Sequence, residues 1–290
     1  VSAQAIREAL AGASRSTTGW YRIHCPACGD RTGKADRKGS LSVSATTGFW
    51  TCWKCAYRGR LAGFDGVLDD VVEEHKGIDV PEEFIPLYGR EGQAFCLEPA
   101  RQYLDHRLGT RWRGHLGEQL RLHAALDGRF AGRVVAPLLD IDGRTWLGYV
   151  ARDWTGQARQ KYLNARGMGR SLWNRVALRS SGDYDWAAGY VNDFTLVVEG
   201  VFDAMPYWPF AVACLGKPNE EQVQLLLDSD RPLVIALDGD AWEEGWALAR
   251  RLQFRGIEAV ALRLPPGSDP GTVHPSRLIQ QAREALGERP

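Results

Sequence analysis

The sequence predicts an α/β protein in which a small cysteine-bearing sheet at the N-terminus precedes a larger unit that ends in a parallel sheet flanked by helices. Two observations carry this. Cys25-x2-Cys28 and Cys52-x2-Cys55 bracket a short, β-rich, aromatic stretch. From Asp193 onward, the continuous apolar runs TLVVE, FAVACLG, PLVIALDGD and EAVALRL alternate with the helical segments VFDAMPYW, NEEQVQLLLD and AWEEGWALARRLQFRG. Strands buried on both faces lose the in/out alternation of half-buried ones, so such runs separated by helices indicate a parallel sheet with helices on both sides. A chain of 290 residues accommodates one large domain, or two of ordinary size plus a small module.

The elements follow in order. Residues 1–62 open with a short amphipathic helix around Ala3–Ala11 and continue into the small sheet. Residues 63–98 are acidic and contain Pro81 and Pro86, which predicts a linker with one helix near Asp65–His75. Residues 99–192 form an Arg-rich unit with a helix around Ala100–Leu108 and two strands, RVVAPLLDIDG and RTWLGYVAR, joined by a turn at Asp142-Gly143. Residues 193–290 are the α/β unit, and SRLIQQAREAL adds its last helix.

Composition excludes several classes. There is no run of about 18 apolar residues, so no transmembrane helix is expected. The N-terminal stretch lacks a basic start followed by an apolar core, so it does not read as a secretory signal. Six cysteines are too few for a disulfide scaffold. The formal net charge is zero, yet it is unevenly spread: residues 1–62 carry 10 basic and 3 acidic groups, 63–98 carry 2 and 10, 99–180 carry 15 and 6, and 181–290 carry 9 and 17. Screening confines electrostatics to roughly 8–10 Å, so the blocks act separately. Of the 36 basic residues 30 are Arg, a side chain suited to bidentate phosphate contacts; a GC-rich genome would produce the same bias.

The two Cys pairs, 23 residues apart, offer the four thiolates that complete the closed tetrahedral shell of structural Zn²⁺. Such a shell has no open position for water, so this metal organises structure. His24 abuts Cys25 and is expected to be a surface residue. Cys96 and Cys214 stand alone and read as plain apolar cysteines. The module carries Phe49, Trp50, Trp53 and Tyr57 beside Arg31, Lys34, Arg37, Lys38, Lys54, Arg58 and Arg60. Aromatics interleaved with cations suit single-stranded nucleic acid, although at least two of the rings are expected to form the module's own core. Trp50, Trp53, Lys54 and Arg58 are the expected nucleic-acid-contacting set.

A second constellation is acidic. Glu199-Gly200 ends the strand TLVVE, Asp203 lies in the following helix, and Asp238-Gly239-Asp240 ends PLVIAL. In an open parallel sheet, ligands gather outside the carboxyl ends of the strands, so these carboxylates share one rim. Mg²⁺ or Mn²⁺ takes such oxygens together with substrate phosphates, which points to phosphoryl or nucleotidyl transfer.

Glu199-Gly200 with Asp203, followed by Asp238-Gly239-Asp240, resembles the Toprim domain of bacterial-type primases, topoisomerases and some nucleases. Lys161-Tyr162-Leu163-Asn164 followed by Ser171-Leu172-Trp173-Asn174 resembles a segment of the bacterial primase catalytic core. Gly132-Arg133 through Pro137, then Gly148 through Arg152, is similar to the segment before it, and the four-Cys module is similar to the zinc ribbon of phage primases. The resemblance spans about 20–62 and 99–285, in the family's order. It implies a bacterial or phage-type DNA primase: a zinc ribbon that reads template, and a core with a Toprim-like parallel-sheet domain that joins ribonucleoside triphosphates on single-stranded DNA. Glu199, Asp238 and Asp240 would be catalytic, with Asp203 and Asp269 completing the magnesium set. Arg133, Arg152, Lys161, Tyr162, Asn164 and Lys217 would hold nucleotide or template. The family has a second acid where this chain has Gly271. No G-x-x-x-x-G-K-[ST] segment is present, so a separate replicative helicase is expected, in the cytoplasm of a bacterium or infected host. A Toprim nuclease or topoisomerase-like enzyme, or a weakened single-strand-binding relative, is the alternative.

Overall fold

The computed structural model describes residues 3–10, 20–44, 48–61, 77–113, 115–140, 145–168, 171–178 and 193–287. The helix expected near Asp65–His75 and the turn at Asp142-Gly143 lie outside the described residues. No helix among the described residues is long and apolar enough to cross a membrane.

The N-terminal module is an antiparallel meander of β1 (Trp20–Ile23), β2 (Leu41–Ser44), β3 (Phe49–Cys52) and β4 (Arg58–Arg60). Helix α1 (Ala3–Leu10) precedes it, and α2 (Cys28–Thr32) follows β1. Ile6, Leu41, Val43 and Trp50 supply its small core. Trp50 is only 5% exposed and lies so close to Gly59 that any side chain there would enter the indole.

The middle unit is a five-stranded antiparallel sheet in the order β5 (Ile85–Pro86), β6 (His123–Ala125), β7 (Arg133–Leu139), β8 (Trp146–Asp153) and β9 (Tyr162–Asn164), with α3 (Glu98–Leu108) and α4 (His115–Gln119). The two strands and the helix read from the sequence are β7, β8 and α3. The acidic linker expected over 63–98 is corrected in its second part. The Ile78 amide donates to the Trp146 carbonyl at 2.7 Å, and β5 pairs with β6. Phe84 packs edge-on against Phe130 and Tyr149. The acids stay outside while Phe84, Leu87 and Leu97 between them are buried; the apolar minority decides, because burying each such side chain is worth about 1.5–3 kcal/mol.

The C-terminal unit is the expected parallel sheet, in the order β11 (Ala211–Ala213), β10 (Thr195–Val198), β12 (Leu233–Ile235) and β13 (Ala259–Ala261). Its helices are α5 (Val201–Ala204), α6 (Glu220–Leu226), α7 (Trp242–Phe254) and α8 (Pro275–Ala285). Asn219 and Gln222 form a reciprocal capping box at the start of α6. Central β10 is buried on both sides. Leu196 and Val198 enter a core shared with α5, α8 and the middle unit, whereas Val197 enters a second core made with α6 and α7.

The N-terminal module is docked on that second core. Trp20 and Phe49 join the side chains of α6 and α7. The Ser44 hydroxyl donates to Asp228 Oδ1 at 2.7 Å, and Arg175 Nη2 donates to Asp228 Oδ2 at 2.8 Å. Arg58 Nη1 donates to the Phe254 carbonyl at 3.2 Å, at the end of α7.

Candidate functional site

The four cysteines converge. Cys25 Sγ lies 3.6 Å from Cys55 Sγ and Cys28 Sγ lies 3.7 Å from Cys52 Sγ, and all four sulfurs fall within 4.8 Å of one another. Burial and then the neighbouring sulfurs raise the Cys25 and Cys28 thiols, Cys28 to about 12. Four thiolates at this spacing need a cation among them, and an all-sulfur tetrahedral set fits Zn²⁺. His24 is exposed, as expected. One supporting residue escapes the sequence reading. The buried Asp36 carboxylate accepts from the amides of Cys25 (2.8 Å), Ser40 (2.6 Å) and Lys38 (3.0 Å) and from the Ser40 hydroxyl (2.8 Å). Those bonds outweigh burial and hold its carboxyl well below the usual range. It locks the first knuckle, and an isolated Asp in a Gly/Lys-rich loop carries no sequence mark of that role.

The carboxylates gather where the parallel strands end. Glu199 follows β10, Asp203 sits in α5, Asp238 and Asp240 follow β12, and Asp269 lies in the loop after β13. Glu199 Oε1 accepts the Asp238 amide at 3.3 Å. Gly239 lets that turn touch the Pro265 carbonyl, leaving no room for a side chain, and the Gly239 amide donates to the Ser268 carbonyl at 2.9 Å. That contact brings Asp269 to the rim. Burial, then Asp269, raises the Asp203 carboxyl to about 6 against the opposing pull of Arg107 and Arg152. Burial, then Asp269 and Asp240, raises Asp238, with Lys161 opposing. Glu199 is raised by burial and then by Asp238, with Lys217 opposing.

This is a field short of positive charge, and two of its atoms show the deficit directly. Asp238 Oδ1 and Asp269 Oδ1 are buried with no hydrogen-bond donor. Buried acceptors are normally satisfied, so the residues fit a hard, oxygen-seeking cation such as Mg²⁺ or Mn²⁺. Among the described residues the carboxylates do not close to the spacing of the cysteines. Gly271 also has a physical account: a Cβ there would stand 2.7 Å from Asp203 Oδ1 and 3.2 Å from Asp269 Oδ1. A side chain at this position would have to push the Asp203 carboxylate aside.

The middle unit faces the rim with cations. Arg107, from α3, donates to Asp203 Oδ1 at 2.8 Å. Arg152 donates to the Tyr162 hydroxyl at 2.5 Å and lies over the rings of Tyr103, Tyr162 and Phe202 at 5.3–5.9 Å. Its Nε is buried without a partner. Lys161 and Asn164 are exposed at the β9 edge, and Lys161 sits 5.9 Å from the Tyr162 ring centroid. Lys217 pairs with Glu244 at 2.5 Å. Arg107 and Tyr103, one helical turn apart, were not foreseen, because nothing local announces a partner 96 residues away.

Two expectations are corrected. Arg133 is 5% exposed and donates to the carbonyls of Lys161 (3.2 Å) and Gln160 (2.7 Å), so it fixes the backbone bearing Lys161 and does not itself face the rim. Trp50 belongs to the module's core, whereas Trp53, Lys54 and Arg58 are exposed. Ser171 through Asn174 joins the sheets: the Trp173 indole donates to Pro137, and Asn174 Nδ2 donates to the carbonyls of Pro209 and Ala211.

No family model and no curated protein sequence matches this chain. Among solved structures it is similar to the zinc-binding and RNA polymerase domains of Aquifex aeolicus primase, at 17% identity over 99% of this chain and 83% of that one, with a TM-score of 0.47. It is similar to the RNA polymerase domain of Mycobacterium tuberculosis primase DnaG, at 21% identity over 69% of this chain and 79% of that one, with a TM-score of 0.49. The same domain in complex with double-stranded DNA gives 21% identity, 67% and 74% coverage, and a TM-score of 0.48.

Proposed function

We propose that this chain is a DNA primase that makes short RNA primers on single-stranded DNA by metal-dependent nucleotidyl transfer. The observation that supports it best is the acidic rim, with its two unpartnered buried oxygens, facing the basic wall of Arg107, Arg152 and Lys161. The chemistry of a triphosphate matches a cation-binding edge beside positive charges, and the motif order in the sequence agrees with that use.

Asp238, Asp240, Asp203 and Asp269 would hold Mg²⁺ or Mn²⁺, which supplies charge stabilisation to the attacked phosphate and the leaving oxygen. Glu199, whose carboxyl is raised by burial, stands at the rim to bind metal or to take the proton of the attacking 3′-hydroxyl. The new bond joins that oxygen to the α-phosphorus, and the bond to the β-phosphate oxygen breaks, releasing pyrophosphate. Arg152, buried at 8% exposure and held over Tyr162, Tyr103 and Phe202, adds fixed positive charge behind the rim. Lys161, set by Arg133, neutralises charge near Asp238. Trp53, Lys54 and Arg58 offer the ribbon's surface to template.

The test is incubation with single-stranded DNA of varied sequence, labelled ribonucleotides and Mg²⁺ or Mn²⁺. Short RNA products support the reading; DNA cleavage or binding alone overturns it in favour of a nuclease or a silent binding relative. Glu199→Gln should abolish incorporation with zinc content and unfolding profile unchanged.

A further inference from the structure

Helix α7 carries a stripe that neither the core nor the rim uses. Trp242, Trp246, Arg250 and Phe254 recur at four-residue intervals, so each lies about 6 Å further along the axis and about 40° further around it than the last, and together they form a stripe that winds around the helix. Trp246 is 55% and Phe254 68% exposed, which is unusual for large rings. The opposite face, with Gly245, Leu248, Ala249 and Leu252, is the one that packs.

The stripe is interleaved with cations. Arg250 lies over the Trp246 ring at 5.8 Å and Arg263 over the Trp242 ring at 6.0 Å. Arg251 and Arg255 of the same helix are engaged by Glu220. Arg250 and Arg263 have no carboxylate partner among the described residues and sit on indole faces instead. Both ends of the stripe also meet functional surfaces. Trp242 comes two residues after Asp240 at the rim, and Phe254 is where the ribbon's Arg58 docks.

We propose that this face of α7 is a track for single-stranded nucleic acid running between the ribbon and the acidic rim. Exposed rings bearing unpaired arginines are the chemistry of strand binding without base preference: bases stack on the rings, and the guanidiniums meet phosphate. Along the axis the rings are about 6 Å (Trp242 to Trp246) and about 12 Å (Trp246 to Phe254) apart, well beyond the roughly 3.4 Å step of a stacked strand, so the track suits a splayed, single-stranded chain whose bases stack on separate rings. The helix is about 20 Å long, and the fixed dock of the ribbon gives the strand a defined path from one surface to the other. The proposal rests on the reading of the chain as a template-directed polymerase and adds where the template lies.

The test is titration of a labelled oligothymidylate into the zinc-loaded chain, followed by anisotropy over a range of salt. Trp246→Ala with Phe254→Ala should weaken binding at least about tenfold, since stacking is worth about 1–3 kcal/mol per base, and should leave the salt slope unchanged. Trp246→Phe should restore most of the loss. Arg250→Gln should instead lower the slope by about 0.7, the contribution of one phosphate on a single strand. Wild-type affinity in the double-alanine variant overturns the track, and so does a change confined to self-association, which would mark the stripe as a protein-docking face. Failure of the polymerase reading looks different: the wild-type chain then gives no RNA product whatever the stripe variants do.

Discussion

Asp203 gives the most direct measure of the charge stored at the rim. Its carboxyl is raised from 3.8 to about 6, first by burial and then by Asp269, in spite of Arg107 and Arg152. A folded chain that keeps this proton to higher pH than the unfolded chain binds more protons between about pH 4 and pH 6, so its stability falls as pH rises through that window. A shift of about two units at about 1.4 kcal/mol each puts the loss near 3 kcal/mol, complete by pH 7. Asp203→Asn removes the titration. The difference in unfolding free energy, variant minus wild type, should therefore climb by about 3 kcal/mol from pH 4 to pH 7. Urea unfolding of zinc-loaded protein washed free of Mg²⁺, at half-unit pH steps, measures it; acid effects on the ribbon are common to both chains and cancel. Mn²⁺ at pH 7 should stabilise the wild type more than the variant. A flat difference, or one that falls with pH, would refute the picture of a rim short of positive charge.

Other outcomes follow from the same geometry. Gly271→Asp would force a side chain against Asp203 Oδ1, and overpacking of this kind costs about 1–3 kcal/mol; thermal unfolding should show the loss, and Mn²⁺ should recover part of it. Cys28→Ser, or a strong zinc chelator, should release one zinc per chain, because the four sulfurs act as one site, and should expose Trp50 to fluorescence quenchers. Asp228→Ala removes the acceptor shared by Ser44 and Arg175; because Arg175 is 28% exposed, the loss should fall below the roughly 3–5 kcal/mol of a fully buried pair. Limited proteolysis should then cut between the four-Cys module and the rest of the chain sooner.

Much of this molecule was legible locally. The Cys-x2-Cys spacing marked four ligands without any structure, because a knuckle carries its geometry in the chain itself. TLVVE and PLVIAL announced parallel strands through unbroken hydrophobicity, and a strand that ends in an acid places that acid on the rim. The interrupted segment 77–98 was harder. Its charge suggested a linker, and only the pairing of β5 with β6 shows where Phe84 and Leu87 are spent.

What the sequence determined was therefore what short-range chemistry encodes: the metal knuckles, the strand-end carboxylates and the α/β alternation. Tertiary structure decided which like residues differ. It turned Arg133 inward to the carbonyls of Gln160 and Lys161, brought Arg107 to Asp203, buried Trp50 and exposed Trp246, and seated the ribbon on α6 and α7. The physical reason is that burial and charge pairing depend on what arrives from far along the chain. A residue's own neighbours fix its type of chemistry, while the fold fixes its surroundings, and those decide whether that chemistry is spent on structure or left free.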